Sequence, residues 1–200
     1  MAARIKRKSN QRVNSQNPID GVVVQDLTPH HDSRGNLVEI FRESWNLGDR
    51  PVQFNAVTSA LGVLRGVHVH VRHVDHLVLV SGRMIFGLHD LRPWSPTARR
   101  SRQHELDTTT PRAVVIPVGV AHGFYFAEPS LLVYGASTYW NPDDEIACRW
   151  DAPELHLSWP TRAPILSEQD TVAVSYAAFN DRFLQRWVDV HGALPDRGTV

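Results

Sequence analysis

The stretch GVLRGVHVHVRHVDHLVLVSG, from Gly62 to Gly82, carries His68, His70, His73 and His76 together with Asp75. An imidazole titrates close to neutral pH, so it suits taking and returning a proton; unprotonated, it is a ligand for first-row metals. Side chains alternate along a strand, which puts His68 and His70 on one face. Further along, PVGVAH supplies Pro117, Gly119 and His122. Three imidazoles and a carboxylate, from His68, His70, His122 and Asp75, could hold a metal and leave positions open for substrate. The same four side chains could equally be the polar lining of a cavity.

Strands must hold these groups. From Gly21 onward the chain reads as short β-rich runs broken by turn residues: GVVVQDL, LVEIF, VQFNAV, HLVLVSGRMIFGLHDL, AVVIPV, HGFYF and LLVYGAS. That spacing predicts a sandwich or barrel rather than alternating βαβ units. SGR between two such runs reads as a hairpin turn, RPWSPTARRSRQ as a proline-broken loop and WNPDDE as a further turn. Helical spacing appears only late, at Tyr176, Phe179, Phe183, Leu184, Trp187 and Val188, predicting a C-terminal helix packed on the β-domain.

The global composition is permissive. With 200 residues, 42% of them hydrophobic, the chain can build one core without staples. Its 21 basic and 21 acidic residues cancel, so nothing advertises nucleic acid or an anionic membrane. The single cysteine, Cys148, excludes an internal disulfide and a cysteine metal cluster, and makes the cytoplasm the expected compartment. The basic opening MAARIKRKSNQRVNSQ lacks the apolar core of a secretory signal and no apolar run approaches the roughly 20 residues that span a bilayer. Residues 1–19 are therefore expected to be a disordered tail, and 20–200 a single domain.

Two resemblances sharpen this reading. The spacing G-x5-H-x-H-x4-D-x6-G resembles the first cupin motif, with Asp75 where that motif has glutamate. P-x-G-x-x-H resembles the heart of the second, whose final asparagine is replaced by Phe126. This implies a mainly β fold, a cupin-type jelly-roll barrel with its site in the mouth. Read together, HDSRGNLVEIF, VQFNAVTSALGVLRGVH, LVSGRMIFGLHDLRPWSPT, VIPVGVAHGFY, LLVYGASTYWNPDDE, RWDAPELHLSWP and PILSEQD resemble, in this order, the dTDP-4-keto-6-deoxyglucose 3,5-epimerase family, over about Asp20 to Asp170. The resemblance implies a homodimeric isomerase with no metal or other cofactor, acting on a nucleotide-diphosphate sugar.

Epimerisation beside a ketone needs a base on one face, an acid on the other and stabilisation of the enolate between them. The resemblance assigns the base to His68, its carboxylate partner to Asp170 and the opposite acid to Tyr134. It places Trp140 beside the nucleotide base, Arg34 and Arg65 at the diphosphate, where guanidinium forks suit the oxygens, and Glu39, Gln53, Asn55 and His122 among the other polar binding groups. Two positions depart from the family: His70 stands where a glutamine is usual, and His76 where a lysine sits close to the enolate oxygen. Losing such a donor costs about 3 kcal/mol, so a protonated His76 is the expected replacement. Two rival readings remain, a metal-dependent cupin isomerase or oxygenase using His68, His70, Asp75 and His122, and a non-catalytic sugar-nucleotide-binding protein. Nothing in the sequence separates inversion at C3 from inversion at C5.

Overall fold

The computed structural model describes residues 19–196. Strands β1 (Val23–Asp26), β2 (Pro29–Asp32), β3 (Gly35–Val38), β4 (Gln53–Ser59), β5 (Leu64–Val69) and β6 (Asp75–Ser81) come first. They are followed by β7 (Arg83–Asp90), β8 (Ser101–Asp107), β9 (Arg112–Ile116), β10 (Val120–Phe126), β11 (Ser130–Ala136) and β12 (Ile146–Ala147), then helices α1 (Glu168–Thr171) and α2 (Tyr176–His191). One five-stranded sheet runs β1-β9-β6-β11-β4 and a second runs β12-β5-β10-β7-β8, with β2-β3 as a separate ribbon. All pairings between these strands are antiparallel. The fold is the expected jelly-roll barrel with a C-terminal helix.

The barrel interior follows from period-two alternation. Leu77 and Leu79 of β6, Phe86 and Leu88 of β7, Val114 and Ile116 of β9, and Phe124 and Phe126 of β10 converge in one apolar core. Val78 and Ala113, one residue out of phase, face outward and are covered by Leu27, Val38, Ile40 and Trp45. On the outside of the second sheet, Val67, Val69 and Val71 meet Phe179, Phe183 and Trp187, the i, i+4, i+8 stripe of α2. Burying each such side chain stabilises by about 1.5–3 kcal/mol. Ser175 caps the start of α2 by accepting from the Ala178 amide, and Gly192, at φ 82°, ends it.

Several expectations change. The Ser81–Arg83 turn is not a hairpin: β6 and β7 belong to different sheets, and the turn carries the chain from one to the other. Gly82 takes φ 87° there, and a Cβ would run into the Ser130 side chain and the Pro129 carbonyl. LVEIF is strand only through Val38, and the polar loop after Arg92 ends earlier than expected, because Ser101–Gln103 already pair with β7. The β2 strand had no apolar alternation to announce it. Residues 1–18 of the expected tail lie outside the described residues, and Ile19, its last residue, is buried in the barrel core.

One bend prepares the pocket. Between β5 and β10, His68 pairs with His122 and Gly66 with Gly123, so Val67 is an extra residue on β5, a β-bulge. Gly66 sits at φ 114°, and a Cβ on it would lie 2.8 Å from both the Gly123 Cα and the His122 carbonyl oxygen. Glycine is the residue that permits this approach.

A buried polar tie fastens α2 to the barrel. The Ser101 hydroxyl donates to the Leu155 carbonyl (2.6 Å), so it accepts from His89 Nδ1 (2.8 Å), and His89 Nε2 then accepts from the Tyr176 hydroxyl (2.9 Å). Burial, opposed by Asp90, pushes the His89 pKa down to about 4. The folded protein keeps His89 neutral where an unfolded chain, with a histidine pKa of about 6.5, takes up a proton. Stability from this group is therefore full above about pH 6.5 and falls as the pH drops toward 4, by about 3 kcal/mol in total. Urea unfolding of wild type and His89→Gln between pH 7 and pH 4.5 should give a less stable variant with a shallower acid slope; equal slopes would remove His89 from this role.

Candidate active site

The barrel opens into a cavity of about 330 Å³ between the two sheets. Val57, Leu77, Leu132 and Phe124 make its apolar wall; Arg65, His68, His70, His73, Asp75, His122, Tyr134, Trp140, Glu145 and Asp170 supply the polar groups. The bulge explains why Arg65 and His68 both line it. On a straight strand, residues three apart face opposite ways; the extra Val67 restores them to one side and points its own side chain into the outer core.

Asp170 reaches His68 from a distant part of the sequence. Ile165 accepts from the Leu64 amide and donates to the Gly62 carbonyl, which lays the following segment along the start of β5. Ser167 then caps α1, accepting from the Asp170 amide (3.0 Å) while its hydroxyl donates to Asp170 Oδ2 (2.9 Å). The remaining oxygen, Oδ1, lies 2.6 Å from His68 Nε2. On the other edge of the same ring, Nδ1 lies 3.0 Å from Glu145 Oε1. Burial disfavours the charged imidazole, but the Asp170 bond and the charges of Glu145, Asp170 and Asp75 outweigh it, and the His68 pKa is raised. Burial likewise opposes the Asp170 carboxylate, yet the bonds from His68 and Ser167 hold its pKa below the usual range.

Behind this pair stands a second polar group. His70 and His73 stack with centroids 4.0 Å apart, and His122 lies 5.2 Å from His70. All three approach Asp75, which is 4% exposed. The distances are 3.7 Å for His70 Nε2, 3.5 Å for His73 Nε2 and 3.4 Å for His122 Nε2. Burial pushes the Asp75 pKa up to about 7, against the charge of His73. Burial also pushes His122 down to about 3 and His70 well below the usual imidazole range.

Tyr134 projects from β11 in the sheet opposite His68, half-buried, and burial raises its hydroxyl pKa. Gln53 and Asn55 share the inward face of β4 with Val57, where Gln53 donates to Asn55 (3.1 Å) and accepts from the Trp140 amide (3.0 Å). Trp140, half-exposed, stands at the rim. Arg65 holds Ser59 through Nε at 3.1 Å.

Five expected residues do not line the cavity: Gln53 and Asn55 lie next to it on β4, beside the lining residues Val57 and Trp140, and the other three lie farther off. His76 lies on the outer face of β6, with Nε2 2.7 Å from the Asp49 carbonyl oxygen and its ring edge-on to Phe41; the inward position at the head of that strand belongs to Asp75. Arg34 sits on the β2–β3 ribbon with an 88% exposed side chain, paired with Asp32. Glu39, beyond β3, pairs with Arg42. Of the expected metal-capable set, His70, Asp75 and His122 do cluster, but His68 is engaged by Asp170 and Glu145, and His73 stands in the group instead. Glu145, His73, Asp144 and Ser167 were not anticipated. The S-x-x-D spacing of Ser167 and Asp170 was the one readable signal, as a helix cap; Glu145 was hidden in a turn.

Fold and pocket together define a class: cupin-type barrels whose mouth sets a carboxylate-bound imidazole opposite a tyrosine. A family model described as dTDP-4-dehydrorhamnose 3,5-epimerase matches residues 16–178, and the chain belongs to that family of isomerases. The dTDP-4-dehydrorhamnose 3,5-epimerase of Neisseria gonorrhoeae is 33% identical over 154 residues, covering 73% of this chain but 47% of that protein, so the chain spans about half its length. The enzyme of that name from Mycobacterium tuberculosis is 32% identical over 190 residues, 87% of this chain and 94% of the other. Among solved structures, ChmJ, a 3'-monoepimerase from Streptomyces bikiniensis in complex with dTDP-quinovose, superposes with a TM-score of 0.75 at 28% identity, covering 90% and 91% of the two chains.

The two carboxylates on His68 make a direct prediction. Followed by nuclear magnetic resonance, the His68 ring should keep its proton above about pH 6.5, the midpoint of a free imidazole. Asp170→Asn should lower that midpoint most, because it removes a charge and with it the charge assistance of the hydrogen bond to Nε2, and Glu145→Gln should lower it less. His76→Gln, on the far face of β6, should leave it unmoved. A wild-type midpoint at or below 6.5 would contradict the charge balance described here.

Proposed function

We propose that this chain epimerises a nucleotide-linked 4-keto-6-deoxy sugar, of the dTDP-4-dehydro-6-deoxyglucose type, at C3, C5 or both, through an enolate. The observation that carries the reading is the 2.6 Å contact between His68 and Asp170 in a pocket whose opposite wall holds Tyr134. Base and acid come from different sheets, so a sugar ring between them meets one on each face. Asp170 fixes the ring and favours the imidazolium that forms when the proton arrives. Its bond to Nε2 leaves Nδ1 as the nitrogen that takes the substrate proton, once Glu145 has given way. The Tyr134 hydroxyl then delivers a proton to the other face of the enolate carbon.

A cavity of about 330 Å³ has room for the hexose but not for a whole sugar nucleotide. The nucleotide then lies across the rim, where Trp140 offers a face to its base, Gln53 and Asn55 offer amides and Arg65 a guanidinium for the diphosphate. His122 takes its place as a polar wall of the sugar pocket.

The same reading makes the protein a homodimer. Phe54 is 50% exposed on the edge strand β4, with Leu37 and Val80 also uncovered, which is apolar surface suited to a second copy. Arg34 and Glu39, outside the pocket of their own chain, keep their expected binding roles only if they serve the pocket of that copy. Among the described residues no helix is long and apolar enough to cross a membrane, and a nucleotide-sugar substrate fits the cytoplasm.

Deuterium exchange separates the roles. In heavy water the wild type should wash deuterium into C3 or C5 of dTDP-4-keto-6-deoxyglucose as it inverts that carbon. His68→Asn should suppress both exchange and inversion by about 10²–10⁴-fold. Tyr134→Phe should keep exchange from the original face while inversion falls. Tight dTDP binding with neither exchange nor inversion in the wild type would favour a non-catalytic binding protein, and undiminished inversion in either variant would remove that residue from the mechanism.

A further inference from the structure

We propose that Glu145 is the proton outlet of the pocket: it takes from His68 Nδ1 the proton that epimerisation leaves there and passes it to water through a second cavity. The inference deepens the epimerase reading and rests on it.

The need arises from proton balance. Inverting a carbon moves its proton to His68 Nδ1 and the Tyr134 hydroxyl proton onto the opposite face, so each inversion ends with an imidazolium on one wall and a tyrosinate on the other. Neither group can repeat its step until His68 has lost a proton and Tyr134 has gained one. The tyrosinate is a strong base and recovers from water. The imidazolium holds its proton more firmly: burial disfavours the charged ring, but the Asp170 bond and the charges of Glu145, Asp170 and Asp75 outweigh burial.

Of the two acids on the ring, one leads outward. Asp170 holds Nε2 at 2.6 Å, its other oxygen is bound by Ser167, and its side chain is 4% exposed. Glu145 Oε1 lies 3.0 Å from Nδ1, within reach for proton transfer, and its side chain is 16% exposed. The backbone there is anchored: the Glu145 amide donates to the Pro142 carbonyl (3.2 Å), and the next residues, Ile146 and Ala147, pair with Val69 and His68. The side chain borders two spaces, the sugar pocket and a second cavity of about 310 Å³ lined also by Ile146, Gln169, Val174 and Arg182. Val172 and Arg182 on that cavity are exposed, so it opens to solvent. A sugar arriving at Nδ1 displaces the carboxylate toward this second space, where Arg182 supplies a positive charge.

When the product leaves, the carboxylate returns. The Nδ1–H bond breaks and an Oε1–H bond forms, which leaves a neutral His68 and a protonated Glu145. Glu145 gives that proton to water, Tyr134 takes one from water, and the cycle closes with no net gain or loss. Both ends of the transfer fit the observed contacts. With acceptor oxygens at both ring nitrogens, either the ring is an imidazolium donating at both edges or Glu145 carries the second proton.

The test separates the first turnover from later ones. Full-length wild type, Glu145→Gln and Glu145→Ala are mixed with dTDP-4-keto-6-deoxyglucose in dilute buffer, and inversion is followed by rapid quench and nuclear magnetic resonance. Each variant should complete a single inversion per site and then slow by on the order of 10²-fold, a drop absent from the wild type. Formate, a carboxylate small enough for the space left in Glu145→Ala, should restore the later turnovers of that variant in proportion to its concentration. It should do nothing for Glu145→Gln, whose amide fills the space, or for the wild type. First and later turnovers slowed alike, with no response to formate, would assign Glu145 a merely structural role and overturn the proposal. Later turnovers equal to wild type in both variants would also overturn it, because His68 would then release its proton directly to water. Circular dichroism and dTDP binding check that each variant is folded, and the isosteric Glu145→Gln carries the comparison if Glu145→Ala is not. A wild type that inverts neither C3 nor C5 refutes the epimerase reading itself; an active wild type whose Glu145 variants show no such drop refutes the outlet alone.

Discussion

Between β5 and β10 the backbone of Gly66 comes so close to Gly123 and the His122 carbonyl that a methyl group would stand 2.8 Å from both. Much of the pocket depends on that contact. It forces the extra residue at Val67, and the extra residue turns β5 so that Arg65 and His68 look into the cavity while Val67 and Val69 look out toward α2. It also sets His68 directly across the ladder from His122. A substitution at Gly66 would separate the strands and turn His68 away from Asp170, although no atom of Gly66 takes part in any chemistry.

Around that contact the barrel accepts an unusual load of buried polar groups. A carboxylate removed from water must find donors or positive charge. Asp170 finds both, in Ser167 and His68. Asp75 is surrounded by three imidazoles held at arm's length, so its surroundings are less complete than those of its neighbour across the pocket. The apolar wall of Val57, Leu77, Leu132 and Phe124 keeps the local dielectric low, which strengthens the charges that are paired and penalises those that are not. The same wall gives His68 and Asp75 their displaced acidities.

Alternation made much of this legible from sequence. The shared face of His68 and His70, the inward apolar residues of the strands and the stripe of α2 follow from periods of two and of nearly four. The motif order also brought together His68, Asp170, Tyr134, Arg65, His122 and Trp140, which the fold gathers in one pocket. What periodicity could not give was phase. His76 and Asp75 are adjacent, and a one-residue slip in strand register exchanges inside for outside; the structure puts Asp75 in. Nor could it give destination, since the turn at Ser81–Arg83 looks the same whether the chain folds back on its own sheet or crosses to the other. Arg34 sits in a ribbon outside the barrel and Glu39 just beyond it, where a motif match carries no information about which surface they meet. Glu145 reaches His68 from a turn, a setting in which no repeat exists to read.

His68 and Asp170 are separated by 102 positions, and the segment bearing the acid is stitched back to Gly62 and Leu64 through Ile165. During synthesis the barrel strands through β11 leave the ribosome well before Ser167 does. For that interval a nascent chain owns the imidazole and the tyrosine but lacks the carboxylate that orients the ring. Its pocket becomes complete only when one of the last folded segments docks, so the reactive pair is assembled after the walls around it.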